Sequence, residues 1–153
     1  MIIEIKGDVR DTDCKLIAHG VNCQGVMGSG VARALFEKWP QVKSMYHDYF
    51  SEFNAGPNGE NFLGSIDVFP VGDGKYVANC FTQQYYGGGD RQYVDYQAVL
   101  ECMEGLRQVC DDFGLTEIAM PKIGCGLAGG DWNMVKSILD YVFEDITVKV
   151  YVL

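Results

Sequence analysis

Apolar and polar positions alternate over residues 2–6, Ile2-Ile3-Glu4-Ile5-Lys6, and Gly7-Asp8 then interrupts the pattern, which predicts a strand and a turn. A second strand is expected over 15–19, Lys15-Leu16-Ile17-Ala18-His19, running into a glycine-rich loop. Residues 30–39 have helical periodicity that stops at Pro40, and Val42, Met45, Tyr46, Tyr49, Phe50 and Phe53 mark one face of a helix over 41–53. His47 lies off that stripe and is expected on the surface. Strands over 64–70 and 75–81 flank Val71-Gly72-Asp73-Gly74, whose Asp-Gly favours a hairpin. Residues 83–92, containing Tyr85-Tyr86-Gly87-Gly88-Gly89-Asp90-Arg91, read as a mobile loop able to close over a site. A helix over 93–113, a strand over 115–120, a helix over 132–144 and a strand over 146–152 complete the pattern. This order predicts one α/β domain over 1–153, a mixed sheet with helices on both faces.

Two stretches carry chemistry. His19-Gly20-Val21-Asn22-Cys23-Gln24-Gly25-Val26-Met27-Gly28-Ser29-Gly30-Val31-Ala32 leads from a strand into a helix, and its glycines let the backbone approach a ligand without a Cβ in the way. Ile118-Ala119-Met120-Pro121-Lys122-Ile123 leads likewise into Gly124-Cys125-Gly126-Leu127-Ala128-Gly129-Gly130-Asp131-Trp132. Each loop offers main-chain amides at a helix N-terminus, where an anion is favoured. Two such loops suggest a diphosphate gripped from both sides.

The formal charge of −9, with only 12 Lys and Arg, argues against nucleic acid as a direct partner, because a phosphate backbone is bound through clustered cations. Backbone amides can still hold a small anion. The six cysteines, at 14, 23, 80, 102, 110 and 125, form no C-x-x-C pair, and the two histidines give no zinc-like spacing. No metal or cofactor is therefore expected, and the thiols are read as free in a reducing, cytoplasmic compartment. The first residues are too short and too charged an apolar run for a signal peptide, and no stretch is long enough to cross a membrane. The expectation is a monomer.

Several familiar sites are excluded. Gly124-Cys125-Gly126-Leu127-Ala128-Gly129 matches G-x-G-x-x-G, but it stands late in the chain, whereas the dinucleotide fingerprint belongs to the first βα turn. The first loop has Val31 and Ala32 where a P-loop has Lys and Ser or Thr. Cys23 and Cys125 have Ser29 and Asp131 six residues on, where a cysteine phosphatase needs Arg.

Taken together, Gly7-Asp8-Val9, His19-x-x-Asn22, Met27-Gly28-Ser29-Gly30-Val31-Ala32 and Pro121-Lys122-Ile123-Gly124-Cys125-Gly126-Leu127 resemble a macro domain, the ADP-ribose-binding fold, over nearly the whole chain. The resemblance implies a three-layer α/β/α architecture with a mixed, mostly parallel sheet of about six strands. It implies that Asp8 accepts from the adenine amino group, that Val9 beside Gly7 offers an amide, and that Tyr151 packs near adenine. Asn22, following Gly20 and Val21, would bind the distal ribose. Met27, Gly28, Ser29, Gly30 and Val31 would hold the phosphates together with Ile123, Gly124, Cys125, Gly126, Leu127, Ala128 and Gly129.

Within the family the chain is similar both to the yeast-type ADP-ribose 1''-phosphate phosphatase, through His-x-x-Asn-Cys and Phe81-Thr82-Gln83-Gln84-Tyr85-Tyr86-Gly87-Gly88, and to the terminal ADP-ribose glycohydrolase, through Met120-Pro121-x-Ile123-Gly124-Cys125-Gly126-Leu127 and Trp132. The glycohydrolase resemblance implies a nucleophilic Lys after strand 75–81 and an Asp after Gly-Cys-Gly-Leu. Here Gln83 or Gln84 and Ala128 hold those places, and Gln forms no Schiff base. The expectation is therefore a phosphatase acting on ADP-ribose 1''-phosphate, with His19 donating to the leaving oxygen or positioning the phosphate and Asp131 orienting or activating water. The alternatives are an ADP-ribosyl hydrolase acting on modified macromolecules and a non-catalytic ADP-ribose reader. A purely local role for Asp131, as the N-cap of the helix at Trp132, stands beside the catalytic one.

Overall fold

The computed structural model describes residues 1–88 and 91–153. Six strands form one sheet in the order β1-β6-β5-β2-β4-β3: β1 (Ile2–Lys6), β2 (Leu16–Asn22), β3 (Ile66–Gly72), β4 (Lys75–Gln83), β5 (Glu117–Met120) and β6 (Thr147–Val152). All neighbours pair in parallel except β3 with β4, which form the expected hairpin. Its turn is Asp73-Gly74, with φ of 56° and 72°, the left-handed pair that a two-residue hairpin requires.

The helices α1 (Gly30–Lys38) and α2 (Gln41–Glu52) bury Leu35, Val42 and Tyr46 against Ile17, Val21 and Phe81 on one face of the sheet. On the other face, α3 (Tyr96–Phe113) and α4 (Trp132–Val142) pack Val99, Leu106, Val135 and Leu139 against Leu16, Ala18 and Val148. Strand alternation sends Leu16 and Ala18 one way and Ile17 the other. Three layers result, with two cores.

Among the boundaries that differ from the sequence reading, three do so for a clear tertiary reason. β2 continues through His19 to Asn22, because parallel pairing with β4 sets His19 opposite Asn79 and Val21 opposite Phe81. The long helix starts at Tyr96 rather than 93. Tyr93 and Val94 stay extended, giving their N–H groups to the Ala128 carbonyl at 2.7 and 3.1 Å, and Asp95 caps the helix by accepting from the Ala98 N–H at 2.9 Å. Within the loop expected over 83–92, Gln83 still belongs to β4 and bridges to Val94. Gly89 and Asp90 lie outside the described residues.

Among the described residues no helix is long and apolar enough to cross a membrane. The six cysteines are all unpaired.

Candidate functional site

β2 and β5 lie side by side, with Ile17 opposite Ala119. From there the chain departs in opposite directions: β2 connects through α1 and α2 on one face toward β3 and β4, and β5 connects through α4 on the other face to β6. A crevice opens at the carboxyl ends of two such strands, the usual ligand position in open α/β sheets. Residues expected at the site come from four segments that share this edge of the sheet. Gly7, Asp8 and Val9 follow β1, Tyr151 ends β6, Asn22 to Val31 follow β2, and Ile123 to Gly129 follow β5. With strands about 4.8 Å apart, the distance from β1 across β6 and β5 to β2 is roughly 14 Å.

The two loops expose unsatisfied main-chain donors. Cys23 N–H goes to the Gln84 carbonyl at 3.1 Å, Gln24 N–H to Asn22 Oδ1 at 3.0 Å and Gly25 N–H to Tyr46 Oη at 3.1 Å. The Val26 N–H also faces the Tyr46 hydroxyl, whereas from Met27 to Ser29 no N–H has a protein partner among the described residues, and the next to be bonded is Arg33, which donates to Ser29 O. The first N–H groups of α1 are orphans by helix geometry, and the Ser29 side chain makes no capping bond to them. In the second loop Cys125, Gly129 and Gly130 donate within the loop, while Gly126, Leu127 and Ala128 have no partner among the described residues. Apolar side chains stand exposed beside both runs, Val26 at 44% and Leu127 at 62%.

The second helix differs from the expectation. Asp131 is the N-cap of α4, its Oδ1 accepting the Asn133 N–H at 2.9 Å, so a carboxylate already occupies that dipole. The anion-binding capacity of the second loop therefore rests on its own amides rather than on the helix N-terminus. The Asp131 N–H donates to Tyr96 Oη at 2.9 Å, which ties α4 to the start of α3.

His19 requires a correction. It sits inside β2, 1% exposed, on the face covered by α1 and α2, whereas Asp131 caps a helix on the opposite face. Its Nε2 lies 2.5 Å from Asn79 Oδ1, and Asn79 in turn donates to the Val42 carbonyl at 3.2 Å. His19 Nδ1 has no partner among the described residues, and burial pushes the imidazole pKa down to about 4. The structure does not bring His19 and Asp131 together, and a sealed, neutral imidazole cannot serve as the proton donor at a surface crevice. The expectation rested on His19 being the end of a strand. Pairing with β4 makes it an interior residue.

Other expected residues are present but already engaged. The Asp8 carboxylate accepts from Arg10 Nε at 3.0 Å and Arg10 Nη2 at 2.6 Å, and these contacts hold its pKa below the ordinary carboxylate value. Asn22 Nδ2 donates to Val26 O at 2.7 Å, so its amide braces the first loop. The Tyr151 hydroxyl donates to Thr12 Oγ1 at 2.9 Å, with its ring beside Gly7. The side chains of Val9, Val21, Met27, Ile123 and Ala128 are buried, which leaves their main chain as what a ligand can meet. Gly20 is fixed by close packing: a Cβ there would stand 2.6 Å from Thr82 Oγ1, where the β2–β4 register slips by one residue. Burial raises the thiol pKa of Cys23 to about 12 and also raises that of Cys125, so neither is a ready thiolate.

Four braces of the first loop escaped the sequence reading. Gln84 receives Cys23 N–H and Gln24 Nε2 on its carbonyl, and Gln24 Nε2 also reaches Asn58 O at 2.8 Å. Gly59, with φ of 78°, passes so close that a Cβ there would overlap the Cys23 carbonyl oxygen. Tyr46 was visible only as a member of an apolar stripe. A cavity of about 360 Å³, lined by Gln84, Tyr85, Arg91, Tyr93, Asp95 and Tyr96 among others, adjoins these braces and the second loop.

The Macro domain family model matches residues 18–139, a span that contains both loops and the strands beneath them. The chain belongs to the Macro domain family. Over 180 aligned positions this macro domain is 27% identical to the ADP-ribose 1''-phosphate phosphatase of Debaryomyces hansenii, covering 99% of each chain. It is also 27% identical to the human ADP-ribose glycohydrolase OARD1, covering 99% of this chain and 91% of that one. Among solved structures it resembles the macrodomain of Mycobacterium tuberculosis DarG, with a TM-score of 0.82 and 25% identity over 99% of this chain and 97% of that one. Relatives with different named activities are thus equally similar, and the macro domain's own residues have to separate them.

Proposed function

We propose that this macro domain binds ADP-ribose in the crevice between the β2–α1 and β5–α4 loops and hydrolyses ADP-ribose 1''-phosphate to ADP-ribose and phosphate. The observation that carries the binding is the pair of amide runs without partners among the described residues, Met27 to Ser29 and Gly126 to Ala128, in the loops that follow two neighbouring parallel strands. Neutral donors of this kind neutralise a diphosphate on a chain of net charge −9 without clustered Lys or Arg. Asp8, Val9 and Tyr151, at the β1 and β6 end of the same edge, suit the adenosine end, and Asn22 suits the distal ribose.

The phosphatase reading is supported by the similarity to the yeast enzyme and by what a lysine-dependent route lacks. Gln83, Gln84 and Ala128 provide neither an amine nucleophile nor a carboxylate. In the proposed reaction water adds to phosphorus, the phosphorus–oxygen bond to the anomeric carbon's oxygen breaks, and that oxygen leaves as a hydroxyl. Asp131, exposed and with only Oδ1 committed to its cap, is the residue proposed to orient the water. The free amides would stabilise the charge that builds on the phosphate.

Calorimetry with ADP-ribose, followed by a phosphate-release assay with ADP-ribose 1''-phosphate on the same sample, tests both parts. Binding with phosphate release supports the proposal. Binding without it, accompanied by release of label from ADP-ribosylated glutamate, would instead assign the hydrolase acting on modified macromolecules, and binding alone would assign a reader.

A further inference from the structure

Tyr46 stands on α2, outside both loops, and is fully buried, with its ring against Phe50 and Phe81. Its hydroxyl nevertheless reaches the anion-binding loop. It accepts the Gly25 N–H at 3.1 Å, and it lies 2.8 Å from the Asn22 carbonyl oxygen and 2.9 Å from Asn22 Oδ1. A phenol has one proton, so it donates to one of the two Asn22 oxygens and accepts from Gly25 in either case. Asn22 then fixes Gln24 N–H through Oδ1 and Val26 O through Nδ2. Two side chains thus set the backbone of Gln24, Gly25 and Val26, at the start of the unpartnered amides.

We infer that Tyr46 is a positioning residue for the ligand-binding loop: its hydroxyl locks the left-handed turn at Gly25 and thereby presents the amides from Met27 onward in their binding arrangement. Gly25 has φ of 76°, and among the described residues nothing lies within 4 Å of where a Cβ would be. The hydrogen bond from its N–H to Tyr46 fixes this residue directly, while Asn22 braces its neighbours on either side. Burial raises the Tyr46 pKa further above the neutral range, where a phenol is already protonated and able to donate to Asn22. A preorganised loop binds more tightly because less order has to be imposed by the ligand. This role rests on the ADP-ribose site proposed above.

Tyr46→Phe tests it, because Phe keeps the ring packing and removes only the hydroxyl. Three quantities are compared with wild type: amide hydrogen exchange at Gly25 and Gln24 in the free protein, the melting temperature, and the Kd for ADP-ribose and for AMP, which lacks the second phosphate and distal ribose. Gly25 exchange is expected to accelerate at least about tenfold and ADP-ribose affinity to fall about tenfold, while AMP affinity changes less than about twofold. Unchanged Gly25 exchange overturns the inference. So does an equal loss of affinity for ADP-ribose and AMP, which is the mark of a generally loosened fold. Should Tyr46→Phe fail to fold, the wild-type exchange profile decides: a Gly25 N–H protected well beyond those of Met27 and Gly28 is expected, and a Gly25 N–H that exchanges as fast as theirs overturns the inference. Because that exchange needs no ligand, a wild-type protein that does not bind ADP-ribose would overturn the proposed function and with it the ligand-positioning role, while the exchange result would still decide whether the Tyr46 hydroxyl holds the turn at Gly25.

Discussion

The imidazole of His19 and the carboxamide of Asn79 meet across β2 and β4, 2.5 Å apart, in the layer sealed by α2. Burial, only partly opposed by the hydrogen bond to Asn79, makes His19 a neutral base whose pKa falls from 6.5 to about 4, and folding stability is linked to that shift. The unfolded chain takes up a proton near pH 6.5 that the folded chain refuses until about pH 4, so stability is complete above pH 6.5 and falls as pH drops toward 4. The His19 contribution to that loss is about 3 kcal/mol. Urea unfolding of wild type and His19→Gln between pH 4 and 8 should show this slope reduced in the variant. Equal slopes in the two proteins would contradict the buried, neutral assignment.

Gly28 and Gly126 lie outside the left-handed region of φ, and nothing stands within 4 Å of a Cβ built on either. Among the described residues the fold therefore has no need of glycine at these positions, which leaves the proposed approach of ADP-ribose as the reason for it. Gly28→Val and Gly126→Val are expected to leave the melting temperature within about 2 °C of wild type while lowering ADP-ribose affinity at least about tenfold, since each lost charge-assisted contact is worth about 1.5–3 kcal/mol. Calorimetry and thermal melts on the same preparations give both numbers. Retained affinity in both variants would remove the two loops from the site.

Gly59 is the opposite case. With φ of 78° and the Cys23 carbonyl oxygen occupying the space a methyl group would need, Gly59→Ala has no room. It is expected to destabilise the protein by about 1–3 kcal/mol and to weaken ADP-ribose binding through the displaced loop. Denaturant titration measures the first effect, and a variant as stable as wild type would show that the approach of residue 59 to the loop is not tight.

Asp131 has a cap and a proposed catalytic duty on one side chain, and substitution separates them. Asn caps as well as Asp, so Asp131→Asn should keep stability and ADP-ribose affinity while phosphate release falls at least about tenfold. Asp131→Ala should in addition lose about 1 kcal/mol. Full turnover by Asp131→Asn would limit the residue to its cap.

Most of the fold was legible because its signals are local. Alternation in Ile2–Lys6, the Asp73-Gly74 turn and the apolar stripe from Val42 onward each identify an element without reference to the rest of the chain. What the sequence could not convey is where a strand stops when its neighbour decides. Gly20, Val21 and Asn22 are held in β2 by β4, and this turned His19 from an apparent strand end into core. The loops themselves were found through glycine spacing, yet their braces were not, because Tyr46, Gln84 and Gly59 act through single atoms contributed from far along the chain. Arg10 on Asp8 was within reach, since the two stand two residues apart at the end of a strand. The cap at Asp131 was foreseen as one of two roles, and its geometry removed the second helix dipole from the anion's surroundings.

The adjacency of Ile17 and Ala119 unites an early segment with a late one in neighbouring strands, from whose carboxyl ends the two loops depart. Neither portion alone carries more than one of the two amide runs, so the proposed ADP-ribose cradle would come into existence only when β2 and β5 have paired. A nucleotide that occupies it would act as a clasp across the seam, favouring the closed chain by mass action and serving as a reporter that the protein has finished folding.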